Sequence, residues 1–383
     1  MSICQASEQY LNKLRERYRK STKKQRGRIL DEFVETTGYH RNHAIALLRG
    51  KRQHHNRQVP IRHPRQCIYT DEDKRGVLWW AELFDQIGSK RLRAAMDVEL
   101  KTVYQQRYVR VSAACFKRLQ QINPATMDRL RHAERRPPAR RRGGTKPGTL
   151  LKSQIPIRTF ADWDDKRPGF EEIDLVQHDG GNPRDSFACT LNVTDVCTGW
   201  TEMRAVTTKA QKHVFATLRQ IRTRLSFPLL GLDSDNGAEF INDQLVRYCT
   251  TEKTTFTRGR RGRKNDNPFV EQKNWSLVRR LVGHARYDTL RQVNQLNALY
   301  AVYRLYVNHF VPIQKLMSKG HAGRKTRKVY DEYKTPYQRV LDSTDVSEKA
   351  KRQLRTIHAA LDVVLLKRQI DTLLDDLIPS KQG

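Results

Sequence analysis

The sequence predicts an α/β core on a mixed sheet, preceded by an all-α region and followed by a helical extension. Three observations predict it. Apolar residues recur at helical spacing through the first fifty residues, a stretch of Pro, Gly and Arg interrupts the chain at 135–149, and short β-branched runs then alternate with helical segments. Three consecutive strands followed by alternating helices and strands require a mixed sheet with helices packed on it. The expected division is 1–60, a helix-turn-helix region; 61–134, a second helical region; 135–165, a basic linker; 166–310, the sheet domain; and 311–383, a basic C-terminal extension.

In residues 22–35, Ile29, Leu30, Phe33 and Val34 fall on one helical face, Thr36-Thr37-Gly38-Tyr39 interrupts, and Ala44, Ile45, Leu47 and Leu48 resume the pattern. Helix, short Gly-containing turn, then a helix rich in Arg, His and Asn is the outline of a helix-turn-helix. It places His40, Arg41, Asn42 and His43 at the start of the second helix, where base edges are contacted. An ordinary helical hairpin with a solvated polar face gives the same pattern. In the second helical region Val77, Leu78, Trp79, Leu83 and Phe84 form a core stripe, and Asn123 with Pro124 reads as the N-cap and first residue of a short helix. That helix ends in arginines, the weak outline of a second helix-turn-helix. The linker RRPPARRRGGTKPGT has nothing to bury, and its charge suits either a phosphate backbone or a solvated spacer.

Strands are expected at 171–177, at 187–197 and over TGWTEMRAV, followed by a helix at 209–225 and a buried strand at 228–233. A helix at 239–249, a short strand at TTFT, a long helix from Pro268 past Arg280 and another near 289–308 complete the core. The tail holds the basic segment KLMSKGHAGRKTRKVYDEY and then helical sequence. Its final helix, 349–377, carries leucines on one face that suit either the core or another subunit.

Charge narrows the function classes. The 383 residues carry 73 Lys plus Arg against 41 Asp plus Glu, a net +32, with 37% hydrophobic residues. Such a balance repels itself unless a polyanion is present, and a nucleic acid releases counterions for every phosphate neutralised. A membrane binder would show an amphipathic basic helix with exposed aromatics, and none stands apart from the folded segments. No aromatic ribonucleoprotein strand motif supports RNA recognition. The six cysteines, Cys4, Cys67, Cys115, Cys189, Cys197 and Cys249, include no Cys-x-x-Cys pair, which excludes the common zinc ribbons and gives no disulfide framework. With no apolar signal core and no run of 18 apolar residues, the expectation is a soluble, reduced, intracellular protein.

Three segments carry the chemistry. Asp174 lies inside the first strand among apolar neighbours, where a lone carboxylate is costly unless paired or bound to a cation. Asp235 ends the fourth strand in Asp-Ser-Asp-Asn-Gly, whose Asn-Gly turn presents it at the strand tip. Glu271, in NPFVEQKN, falls in the first turn of the long helix, where the helix dipole favours a carboxylate. One carboxylate on each of three neighbouring elements is what phosphoryl transfer on DNA needs to clamp two magnesium ions about 3.5–4 Å apart. Taken singly, the turn can be only a turn and the strand Asp only a satisfied buried acid.

The string DNG-x-EF, with thirty-five residues between Asp235 and Glu271, resembles the catalytic core of retroviral integrases and of DDE-type insertion-sequence transposases. GFEEID is similar to that family's first strand and TDVCTGWTEMRAV to its second and third strands, so the likeness spans roughly residues 166–310. It implies a ribonuclease H-like fold, with Asp174, Asp235 and Glu271 as catalytic metal ligands for Mg2+, Mn2+ substituting. It makes Lys273 and Asn274 candidates for holding the substrate strand. It also matches RGRRGRKND, with Arg258, Arg260, Arg261, Arg263 and Lys264, to a mobile active-site loop. Nothing here has the His and Cys spacing of the retroviral zinc module, which favours a transposase. Many relatives carry His two residues before the second Asp, where this chain has Asp233; strand alternation and the Asn-Gly match favour Asp235 as ligand. Asp179, a competitor to Asp174, lies in a Gly-rich turn beyond the strand.

The resemblance implies a bacterial DNA transposase acting in the cytoplasm on the nucleoid. It would bind element terminal repeats, cut a strand and join it to target DNA as a homo-oligomer. Arg41, Asn42 and His43 would then read the repeats. The rivals are a nuclease of the same fold, which hydrolyses without joining, and a non-catalytic regulator derived from a transposase.

Overall fold

The structure, a computed structural model, describes residues 3–50, 68–132, 167–234, 240, 243–258, 268–322 and 325–377. They divide into two units, 1–68 and 69–383. The first unit holds α1 (Ile3–Lys20), α2 (Lys23–Thr37) and α3 (Arg41–Leu48) around Tyr18, Ile29, Leu30, Phe33, Ala44 and Leu48. Thr22 and Gln25 form a capping box that starts α2, and Gly38, at φ 69°, ends it by donating its N–H to the Val34 carbonyl. The expected helix, Gly turn and helix are therefore present.

In the second unit α4 (Asp71–Leu83), α5 (Ser89–Gln105), α6 (Ala113–Gln121) and α7 (Pro124–Arg131) precede the sheet. Asn123 caps α7, its Oδ1 accepting from the Thr126 amide at 2.9 Å with Pro124 first in the helix. Val77, Trp80, Phe84, Met96 and Leu119 from these helices enter one core with Val176 and Met203 of the sheet. The helical region expected over 61–134 thus shares a core with the sheet.

The sheet runs β1 (Phe170–Gln177), β2 (Cys189–Asp195), β3 (Thr201–Val206), β4 (Gly231–Ser234) and β5 (Thr255–Arg258) in the order β3-β2-β1-β4-β5. β2 lies antiparallel to both β1 and β3, whereas β4 lies parallel to β1 and to β5. Helix α8 (Gln211–Arg222) follows β3 and α9 (Asp243–Thr251) follows β4. β2 is buried at every residue, and the period of two sorts its side chains. Cys189, Leu191 and Val193 join Val214 and Leu218 of α8 and Leu245 of α9 in an apolar core. Thr190, Asn192 and Thr194 form a polar set on the opposite face, and burial there requires partners. Thr190 Oγ1 lies 2.8 Å from the Tyr300 hydroxyl and Thr194 Oγ1 3.2 Å from that of Thr201.

Helix α12 (Leu290–Phe310) seals the free edge of β3. Asn297 accepts from the Ala205 amide at 2.9 Å and donates to its carbonyl at 3.0 Å; Asn308 does the same at Thr201, at 2.9 and 2.8 Å. Between them Arg304 grips Glu202 through two bonds of 2.6 Å. Asparagine side chains thus stand where a sixth strand would pair, and they blunt an edge that otherwise invites aggregation.

The expected long helix is built as α10 (Pro268–Lys273), a π-helical segment (Asn274–Arg279) and α11 (Arg280–Val282). After α12 come β6 (Leu316–Ala322) and β7 (Lys325–Tyr330), a separate antiparallel pair, then α13 (Pro336–Asp342), α14 (Glu348–Ala359) and α15 (Val363–Leu377). The single helix expected over 349–377 is two. Asp362 starts α15, its Oδ1 accepting from the amides of Val364 at 2.8 Å and Leu365 at 3.0 Å. Val363, Val364 and Ile370 then enter the core with α12, so that apolar face is satisfied within the chain.

Candidate active site

Asp174 sits on β1, half-buried, opposite Asn192 of β2. Its Oδ1 accepts from the Leu175 amide at 2.7 Å, and its Oδ2 accepts from Asn274 Nδ2 at 2.6 Å. Asn274 Oδ1 in turn accepts from Asn192 Nδ2 at 2.7 Å. The two amides leave Asp174 no free choice of rotamer. Asn274 is the first residue of the π-helical segment, and such wide turns recur at functional sites because they re-aim a side chain. The structure therefore brings together two residues expected at the site, Asp174 and Asn274, and adds Asn192.

Glu172 was not singled out in the sequence. It shares the Asp174 face of β1, is fully buried, and its Oε2 accepts from the Val270 amide at 2.9 Å. Amides in the first turn of a helix lack intrahelical acceptors. Glu172 supplies one to α10, fastening the helix that carries Glu271 and Asn274 to the strand that carries Asp174. The legible signal was strand alternation, which sets residues 172 and 174 on one face.

β4 ends beside this point. Glu172 pairs in register with Asp233 and Ile173 with Ser234. Asp233 is fully buried and accepts from Thr257 Oγ1 at 2.5 Å, so it ties β4 to β5. Asp235 follows Ser234 in sequence and lies outside the described residues, as do Arg260, Arg261, Arg263 and Lys264; Glu271 is described in its backbone, within α10, but not in its carboxylate. Among the described residues no group of three or more His, Cys, Asp or Glu is arranged to hold a metal. Arg258 ends β5, partly exposed.

Lys273 is turned into the protein. Its Nζ donates to the Gly199 carbonyl at 3.3 Å, and burial, with Arg91 and Arg339 nearby, pushes its pKa down to about 7. The receiving turn is tightly built. Asp195 Oδ1 accepts from the amide and hydroxyl of Thr198, both at 2.6 Å, and a Cβ on Gly199, at φ 72°, would meet Ile313 Cδ1 at 2.3 Å.

In the first unit Arg41, Asn42 and His43 are exposed on the first turn of α3. Arg41 pairs with Asp31 of α2, and the His43 ring packs edge-on to Tyr39 at 5.1 Å. Asp179 lies beyond β1 in a turn, its Oδ1 accepting from the Gly181 amide at 3.0 Å.

If Asn274 holds Asp174 for catalysis, Asn274→Ala should lower turnover about 10- to 100-fold with little change in substrate affinity, as loss of partners that orient a ligating carboxylate does. A steady-state comparison of kcat with KM checks this, and an unchanged kcat would count against the role.

The fold and site define a mixed α/β protein whose sheet carries an oriented carboxylate held by the helix beside it. The chain belongs to one family with the uncharacterized protein y4rM of Sinorhizobium fredii (strain NBRC 101917 / NGR234), to which it is 39% identical over 318 residues, 82% of this chain and 89% of that protein. No family model matches the chain. Among solved structures it is similar to the catalytic core domain of HTLV-2 integrase in complex with magnesium, at 14% identity and a TM-score of 0.29 over 38% of this chain and 90% of that one. It is also similar to the catalytic core domain of BIV integrase, at 17% identity and a TM-score of 0.30 over 46% and 95%.

Proposed function

We propose that the chain is a DNA transposase of the DDE type with a ribonuclease H-like core, cutting strands at element ends and joining them to target DNA. The observation that carries the reading is the bond from Asn274, on the helix bearing Glu271, to Asp174. Beside Asp174, β4 leads in sequence straight into Asp235-Asn236-Gly237. Carboxylate oxygens are the hard donors that Mg2+ prefers, so the donor set fits the ion. In this reading Asp174, Asp235 and Glu271 hold Mg2+, or Mn2+ in its place, and the bound metal supplies charge neutralisation at the reacting phosphate and a more acidic attacking hydroxyl.

The chain's own groups do the rest. Asn274 and Asn192 keep the Asp174 carboxylate turned to one orientation, and Glu172 keeps α10 against β1. Arg258, Arg260, Arg261, Arg263 and Lys264 supply positive charge to the DNA backbone, and Lys273 steadies the turn at Gly199. The three N-terminal helices act as a helix-turn-helix, with Arg41, Asn42 and His43 at the base edges of the terminal repeats. No Tyr or Ser nucleophile is needed, because water and then the freed 3′-hydroxyl attack phosphorus directly. Joining two ends calls for a homo-oligomer on DNA, working on the bacterial nucleoid. Among the described residues no helix is long and apolar enough to cross a membrane.

The test is incubation of the full chain with Mg2+ and a labelled duplex carrying the terminal repeat that flanks its coding sequence, beside Glu271→Gln. Cleaved and joined products are expected with the unaltered protein alone. Binding without cleavage by either protein would move the assignment to a non-catalytic regulator, and hydrolysis without joining to a nuclease.

A further inference from the structure

The basic segment of the C-terminal extension has no part in the proposed site, yet it folds. β6 and β7 pair only with each other among the described strands, and a lone two-stranded ribbon is marginal in water. Met317, Arg327, Lys328, Val329 and Tyr330 are all exposed. Residues 316–330 contain five Lys and Arg and no Asp or Glu. The backbone register sets Lys319 opposite Lys328 and Gly320 opposite Arg327, so neither of the exposed Lys328 and Arg327 has an acidic residue across the pair. Nothing in the ribbon's own sequence neutralises it.

Its root, by contrast, is fixed. The Lys315 amide donates to Asp331 Oδ1 at 2.7 Å, Arg339 holds the other oxygen of Asp331 at 2.6 Å, and Lys315 Nζ donates to the Cys197 carbonyl at 2.8 Å. Cys197 belongs to the same turn whose Gly199 carbonyl receives Lys273 from the catalytic helix. A cationic ribbon is therefore mounted firmly on the turn that also braces the proposed active site.

We propose that the β6–β7 hairpin is a duplex-DNA contact, a ribbon laid in the major groove with Arg327 and Lys328 neutralising phosphates. It rests on the transposase reading and adds to it a surface outside the acid site and the N-terminal helices. Two strands about 4.8 Å apart, with their side chains, fit a groove about 12 Å wide, whereas the major groove of duplex RNA is too narrow and deep.

The test is the salt dependence of binding by the full chain to a labelled 30-base-pair DNA, for the unaltered protein, the double variant Arg327→Ser, Lys328→Ser, and the matched Arg327→Lys, Lys328→Arg variant. The serine variant should lose about 2 from the slope of log affinity against log salt, since each phosphate contact contributes about 0.9, and about tenfold in affinity at 0.15 M salt. The matched variant should keep both. The serine variant's melting temperature should not fall, because both side chains are exposed. An unaltered slope in the serine variant overturns the hairpin's role and leaves the transposase reading standing. No DNA binding by the unaltered chain overturns both.

Discussion

Asp174→Asn is expected to leave folding and DNA binding intact while lowering strand cleavage by about 10³-fold or more, some 4 kcal/mol of barrier. The substitution keeps the side chain's size and one oxygen that can still accept from Asn274 Nδ2, 2.6 Å away in the unaltered protein. It removes the negative charge on which the proposed metal binding at β1 depends. In the proposed reading duplex affinity rests on Lys and Arg side chains, so it should move by less than about twofold. Cleavage at the unaltered rate by a correctly folded variant would remove Asp174 from the chemistry. Loss of binding together with cleavage would mean that the residue holds the fold instead.

Arg304→Met is expected to destabilise the second unit by about 3–5 kcal/mol, the usual consequence of stripping one partner from a buried ion pair. Glu202 is fully buried, accepts two bonds of 2.6 Å from Arg304 and one of 2.9 Å from Trp200 Nε1, and has Glu171 as an acidic neighbour, which in turn feels Asp195. Methionine keeps the stem and loses the charge, leaving a carboxylate without its cation. Adding Glu202→Gln should restore a large part of the loss, which a double-mutant cycle measures.

The same cluster makes stability depend on pH. Burial pushes the Asp195 carboxyl up to about 6, and burial with the charges of Asp195 and Glu202 pushes Glu171 well above the ordinary range. Between about pH 4 and 6 the folded chain therefore holds protons that the unfolded chain has released, so stability falls as pH rises through that window. Urea melts of the unaltered protein should show that fall. For Arg304→Met, a deficit under 1 kcal/mol at pH 7.5 would show that Glu202 does not need its cation.

Much of this architecture is legible in the chain because it depends on short-range pattern. The β-branched runs of β1, β2 and β3, the capping boxes and the Asn123-Pro124 start of α7 each follow from neighbouring residues. The three acids proposed for the reaction come from motif and spacing alone. Asp174 and Asn274 are one hundred residues apart in sequence and meet, a contact the sequence did not announce. What pattern could not show was partnership at a distance. Asn192, Asn297 and Asn308 are unremarked polar residues in sequence, yet one locks the site and two pair with the open edge of β3. Glu172 reads as one more charge beside Asp174 until the Val270 amide is seen on it.

The sequence by itself determined the order of helices and strands as far as α12, the excess of positive charge and the three acids proposed for the reaction, because periodicity, composition and motif spacing are local properties of a chain. Only the tertiary structure decided that the helices of residues 71–131 share a core with the sheet, that α15 packs on α12, and that the basic tail segment stands out as a paired ribbon. Those outcomes depend on which buried polar group finds a partner and which apolar face finds another. Both are set by the summed free energy of contacts between residues far apart in the chain.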